Sequence, residues 1–319
     1  MRNRIDRSGR RACVLGLAAL GSAAALPAAA APRGRAAQAG RIIISGAAGH
    51  LGELTVRALL ARGIPASRLI LVSRIPDGLK AFASQGASVR FGDFTKPESL
   101  PAAFAGGRQM LLISIGFGPM PRPQAHKNAI DAAKGAGVEH IAYTSWIGLA
   151  RGDRSGLGAD HYQTEETLKR SGIAWTMLRN SIYMEQTLPR AKRMISTGRA
   201  EVPGADTRIA YVARADCAAA AAAVLATGGH DDRAYDITGP QLIDTRTLAE
   251  TASAVTGRPI RTEPAPPAPP GRPRPYAGSS VAVVSDAVAR LKGGPAISLK
   301  AFFTEHRAEL LAARSTRPS

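Results

Sequence analysis

The stretch RIIISGAAGHLGELTVRALLA, residues 41–61, decides the fold. Its first five residues, RIIIS, are a nearly unbroken β-branched run, the composition of a strand covered on both faces. Gly46, Gly49 and Gly52 follow directly, and apolar residues then recur at helical spacing over 51–62. A strand, a glycine turn and a helix in that order let the backbone approach a pyrophosphate, with the positive end of the helix to receive its charge. The spacing is GxxGxxG rather than GxGxxG. Its place inside a strand-turn-helix unit predicts a dinucleotide-binding turn.

Working outward, short apolar runs alternate with longer segments of helical period. Strands are expected at 41–45, 68–73, 88–92, 109–114, 140–145 and 174–179, and helices near 51–62, 76–85, 97–105, 122–136 and 160–171. That alternation predicts an α/β chain with a doubly wound parallel sheet of the Rossmann kind over 41–180. Residues 181–319 read as a small C-terminal α/β lobe interleaved with that core. It holds an alanine-rich helix stopping at Gly228-Gly229, a short strand, a helix with its N-cap at Asp244 or Thr245, another short strand, and a final helix over 299–313. The segment 262–276, TEPAPPAPPGRPRPY, is so rich in proline that neither ladder nor helix is expected through it.

In an open parallel sheet, ligands bind beyond the carboxyl ends of the strands. The second strand ends in Ser73 and Arg74, where an NAD-specific site would place an acid beside the ribose 2′-hydroxyl. A guanidinium suits a 2′-phosphate through paired charge-assisted hydrogen bonds, so NADP(H) is the expected cofactor, with Asp77 leaving NAD(H) as a second. Asp93, followed by Phe94, ends the third strand and is placed to meet the adenine amino group. Ser114 and Ile115 end the fourth strand and Ser145 the fifth. No metal is implied.

The formal charge is +18, but the basic residues are scattered singly and aromatics make up only 5% of the chain, a footprint that argues against nucleic-acid binding. Residues 1–31 hold five arginines against one aspartate, with Arg10-Arg11 before an Ala/Gly/Leu stretch and small residues in A-x-A spacing before Pro32. This reads as a twin-arginine-like export signal, followed by a polar linker over 32–40, and predicts an exported, periplasmic or extracytoplasmic protein. The alternative is a chain anchored to a membrane by that segment uncleaved. Once it is cleaved, Cys217 is the one cysteine remaining, no stable membrane span is expected, and self-association into a homo-oligomer stays open.

The stretches SGAAGHLG, LVSR, VRFGDF, LLISIG, HKNAIDAAKGAGVEHIAYTS and HYQTEETLKRSGIAWTMLRNSIY occur in this order and resemble the NmrA-like branch of the atypical short-chain dehydrogenases. Within that branch the chain is most similar to the type 2 NAD(P)H:quinone oxidoreductases, over about 41–257. The resemblance implies a Rossmann domain with a small lobe, NADPH between them, and two-electron reduction of a quinone. It also implies that His50 and Leu51 join the glycines at the pyrophosphate, that Arg74 meets the 2′-phosphate and Asp93 the adenine, and that Arg179 and Asn180, followed by Tyr183, lie beside the nicotinamide. His161 and Glu165 match a His…Glu pair of those reductases, so Asn180, His161 and Tyr183 are the candidate catalytic groups. The departure is C-terminal, where PAPPAPPGRPRPY replaces a longer helical region.

Tyr162 has Glu166, not lysine, four positions on. Reduction of a ketone needs an acid ready for the alkoxide, which a Tyr/Lys pair supplies. A quinone yields an aromatic hydroquinone anion that water can protonate, so orientation does most of the work. The missing lysine therefore counts against ketone reduction and is neutral toward a quinone-like small-molecule acceptor. The alternative is an NmrA-type redox sensor that binds the dinucleotide without turnover.

Overall fold

The computed structural model describes residues 40–116, 118–152, 156–204, 206–266 and 281–312. The expected export signal, the linker up to residue 39, residues 267–276 of the proline-rich segment and Ala313 of the last helix lie outside them.

Strand β1 (Arg41–Ser45) shows how an unbroken apolar run supplies two cores at once. Side chains of a strand point alternately to its two faces, and Ile42 and Ile44 pack into one core while Ile43 packs into the other. β2 (Leu69–Ser73) repeats the pattern, with Leu69 and Leu71 on the first face and Ile70 and Val72 on the second. The chain continues through β3 (Ser88–Phe91), β4 (Gly107–Leu112), β5 (His140–Trp146), β6 (Ala174–Asn180), β7 (Arg199–Val202), β8 (Arg233–Ile237) and β9 (Arg261–Pro264). Seven of these form one parallel sheet in the order β3-β2-β1-β4-β5-β6-β8, and β7 pairs with β9 in a parallel ribbon.

Helices α1 (His50–Ala61), α2 (Lys80–Ala83), α7 (Arg214–Ala226) and α9 (Ala287–Lys292) bury residues in the first core. Helices α3 (Leu100–Phe104), α4 (Arg122–Gly135) and α5 (Gly156–Arg170) pack into the second. A third cluster holds α6 (Thr187–Thr197), α8 (Thr245–Thr256), α10 (Leu299–Glu305) and α11 (Arg307–Leu311) around Leu248, Phe302 and Phe303, with the β7/β9 ribbon at its side. These helices and the ribbon make a small lobe, while β8, α7 and α9 of the same span 181–319 join the main sheet and its first core. Asp244 is the N-cap of α8 and accepts from Thr247 N, and Gly172, with φ +80°, follows the end of α5.

Three expectations need correction. A ladder does run into the proline-rich segment, because β9 includes Thr262, Glu263 and Pro264. The ribbon has only two strands, so β9 is an edge where the missing N–H of Pro264 breaks no bond, and Ala265 N restores the pairing by donating to Val202 O. The last helix is divided at His306 into α10 and α11. The span 76–85 is a 3₁₀ turn over Pro76–Leu79 before the four residues of α2.

Chain order reverses between β1 and β4, one running to β2 and the other to β5. That switch point opens a crevice at the carboxyl ends of the strands.

Candidate active site

The glycine turn is shaped by what has no side chain. Gly46 takes φ +67°, a left-handed conformation that favours glycine, and Gly49 N donates to Gly46 O at 2.9 Å. A Cβ on Gly52 would fall against Gly46 O and 2.7 Å from Ala47 Cα, so α1 packs onto the turn at a separation only glycine permits. Gly49 is the N-cap of α1 and no side chain closes that end. The first-turn N–H groups, which a helix leaves without intrahelical partners, belong to His50, Leu51 and Gly52. Leu51 turns its side chain into the core, so it offers the site its backbone alone.

Beside the turn lies a cavity of about 400 Å³, lined by Gly46, Gly49, Ser73, Arg74, Asp93, Phe94, Ser114, Ile115 and Met120 among others. Ser73 is buried and its Oγ accepts from Ile75 N at 2.9 Å, which turns the chain so that Arg74 stands exposed at the rim. Asp93 Oδ1 accepts from both the N–H and the hydroxyl of Thr95, each at 2.9 Å. Burial would raise the Asp93 pKa, but these bonds and the charges of Arg74 and Lys96 outweigh it and hold the carboxyl below its ordinary value. Asp77 faces Lys80 at 3.1 Å, outside the cavity.

The opposite wall is the chain leaving β4. Ile113 N donates to Ser45 Oγ at 3.0 Å, Ser114 N to Thr144 Oγ1 at 2.8 Å and Ile115 N to His126 Nε2 at 3.2 Å. Arg122 Nε donates to Ile115 O at 2.8 Å. Three successive N–H groups and one carbonyl are thus held by side chains from β1, β5 and α4.

Ser145, His161 and Asn180 do not line that cavity. They are buried in or against the ends of β5, α5 and β6, in a polar hub. His161 and Glu165 are the inward pair of α5, while Tyr162 is 37% exposed and Glu166 pairs with Lys169 at 2.9 Å. Glu165 receives both nitrogens of a forked contact from Arg179, at 3.0 and 2.8 Å, and the Ser145 hydroxyl at 2.6 Å. Tyr143 Oη lies 2.7 Å from His161 Nδ1 and 3.5 Å from His126 Nδ1. Burial pushes the Tyr143 pKa up. Burial, aided by the Arg122 charge, pushes His161 down to about 3, and burial with His161 and Arg122 does the same to His126. Both imidazoles are therefore neutral at ordinary pH. Asp160 is held by Arg122 at 2.8 Å rather than by the imidazole beside it.

Asn180 Nδ2 stands 3.5 Å from the Tyr183 hydroxyl, and Arg214 stacks 4.7 Å over the Tyr183 ring. Burial raises the Tyr183 phenol above its ordinary range. Asn180 Oδ1 and Ser181 Oγ are buried and have no partner among the described residues. Whichever way the amide is turned, one polar atom there waits for a partner.

A family profile described as NAD(P)H-binding matches residues 46–228. The chain is 38% identical over 221 residues to quinone oxidoreductase 2 of Escherichia coli (strain K12), across 69% of this chain and 76% of that protein. The chain belongs to the NmrA-like NAD(P)H-binding family. A second member, an NAD(P)H azoreductase of Xenophilus azovorans, is 30% identical across 69% of this chain and 75% of its own length. In three dimensions the chain matches an Escherichia coli NADPH-dependent quinone oxidoreductase solved with NADPH, with TM-score 0.72 and 31% identity, covering 85% of this chain and 99% of that one. Against this family frame, sequence reasoning passed over Arg122, His126, Tyr143 and Thr164. Each sits inside a helix or strand pattern, and only the packing of α4, β5 and α5 brings them together.

Proposed function

We propose that the protein is an NADPH-dependent reductase that passes hydride to a quinone or a similarly electrophilic small molecule. The residues fit the cofactor. The Gly46/Gly52 contact lets α1 close onto the turn, the amide end of α1 accepts negative charge, and the Arg74 guanidinium stands at the cavity rim where a 2′-phosphate would meet it. When bound, NADPH supplies the hydride. The unpartnered polar atoms of Asn180 and Ser181 offer hydrogen bonds that would orient a ligand at the end of β6.

The observation that carries the choice of acceptor is the state of the inward pair on α5. Glu165 is committed to Arg179 and Ser145, and His161 is a neutral imidazole accepting or donating at Tyr143. Both are occupied by protein partners, so neither is held free to protonate an alkoxide. An acceptor whose reduced form is a weak base needs only orientation and exclusion of water, which the buried hub and the fixed wall provide. Hydride loss is followed by the fall in nicotinamide absorbance when the purified protein, NADPH and a panel of simple quinones are mixed. Turnover on at least one quinone is expected. Tight NADPH binding with no turnover on any acceptor would favour a sensor instead.

We also propose that the chain is exported through residues 1–31, supported by Arg10-Arg11 ahead of an apolar stretch and by the A-x-A spacing. Mass spectrometry of the mature N-terminus is the measurement, and residues before Ala28 found intact would overturn it.

A further inference from the structure

Both backbone groups of Ile115 lead by separate hydrogen-bonded routes to one residue of α5. From the carbonyl, Arg122 Nε takes Ile115 O at 2.8 Å and Arg122 Nη1 reaches Asp160 Oδ2 at 2.8 Å. From the amide, Ile115 N donates to His126 Nε2 at 3.2 Å, which leaves the imidazole proton on Nδ1 to be given to Thr164 Oγ1 at 3.0 Å. The Thr164 hydroxyl then donates to Asp160 O at 3.0 Å. The ring closes on Asp160, the neighbour of His161. Arg122, His126 and Thr164 are all buried, so water offers no substitute for a lost member.

We propose that Arg122 and His126 are positioning residues that clamp Ile115 to α5, so that the cavity wall facing the dinucleotide and the helix carrying His161 and Glu165 hold position as one body. The chemistry demands these residue types. A neutral imidazole accepts from Ile115 N on one nitrogen while donating from the other, and a guanidinium reaches a carbonyl and a carboxylate from one planar group. Neither side chain is offered as touching the substrate. The clamp rests on the reading of the cavity as the dinucleotide site.

The test uses the whole purified protein in four variants: His126→Phe, His126→Gln, Arg122→Met, and Leu248→Ala as a core deletion in the small lobe. NADPH affinity is read from nicotinamide fluorescence, and hydrogen exchange is followed over 113–116 and 156–164. His126→Phe and Arg122→Met should each weaken NADPH about ten-fold, the loss of one strong hydrogen bond. Both should raise exchange in the two segments together. His126→Gln, which keeps an acceptor, should recover most of the affinity. Leu248→Ala should lower the melting temperature yet leave affinity and both segments unchanged. Affinity within two-fold of the parent in both clamp variants, or exchange rising in one segment alone, would overturn the clamp. If His126→Phe does not fold, Arg122→Met decides. A parent protein that binds neither NADPH nor NADH would instead overturn the reading of the cavity, and the clamp with it.

Discussion

The glycine turn and the hub between α4 and α5 sit at the same end of one sheet and are made of opposite materials. The turn is backbone: amides, a left-handed Gly46 and a close approach at Gly52. The hub is side chains, with Arg122, His126, Tyr143, His161, Thr164, Glu165 and Arg179 answering one another's hydrogen bonds and all but Arg179 buried. A backbone site fails when bulk is added. A side-chain hub fails when one member is taken away, because its partner is then left unpaired out of reach of water.

The largest effect expected from breaking the hub is that of Glu165→Ala, which leaves Arg179 and Ser145 without their shared partner. A loss of about 3 kcal/mol of stability is expected, the lower part of the range for a broken buried pair because Arg179 keeps some contact with solvent. Chemical denaturation measures it. The turn is broken by Gly52→Val, whose side chain would enter Gly46 and Ala47. NADPH affinity should fall roughly 100-fold, a little under 3 kcal/mol.

Acid separates the two regions without mutation. Burial and the Arg122 charge push His126 and His161 to about 3, below the ordinary 6.5, with Arg122, Tyr143, Asp160, Thr164, Glu165 and each other as their polar and charged neighbours. The unfolded chain binds protons first, so their contribution is complete above about pH 6.5 and is lost as pH falls toward 3. By pH 5.5 the two together should cost roughly 2–3 kcal/mol, read as a falling melting temperature that a His126→Gln variant blunts. The smallest effect sharpens the comparison at the rim: Arg74→Ala should weaken NADPH roughly ten-fold, one charged hydrogen bond's worth, and leave NADH binding unchanged.

The turn was legible in the sequence because everything it needs lies within residues 41–61. The ends of β2, β3 and β4 were legible for a related reason, since knowing where a parallel strand stops says which residues face the crevice, but Ser145 near the end of β5 is drawn into the hub by Glu165 instead. The hub was not. His126 and Thr164 are 38 residues apart, and each lies within a pattern that reads as plain helix. Nor could spacing choose between His161 with Glu165 and Tyr162 with Glu166, since adjacent helical positions differ by about 100° and both pairs are polar. Packing made that choice, by giving Tyr143 and Arg179 to the first pair. The run of β9 into the proline-rich segment was hidden because a two-stranded ribbon tolerates a proline that a central strand would not.

Strand β8 pairs with β6 in register Thr176 to Arg233, and Ala287 and Val288 share a core with Ile42. During synthesis, then, a chain made only as far as Asn180 has every group of the glycine turn and of the hub, yet its sheet ends in a raw edge and one face lacks α7 and α9. The parts that recognise a ligand are finished long before the parts that let them stay folded. Such late, distant closure slows folding and prolongs exposure of an unpaired strand. For this protein the ribosome hands over a site first and a stable molecule only at the end.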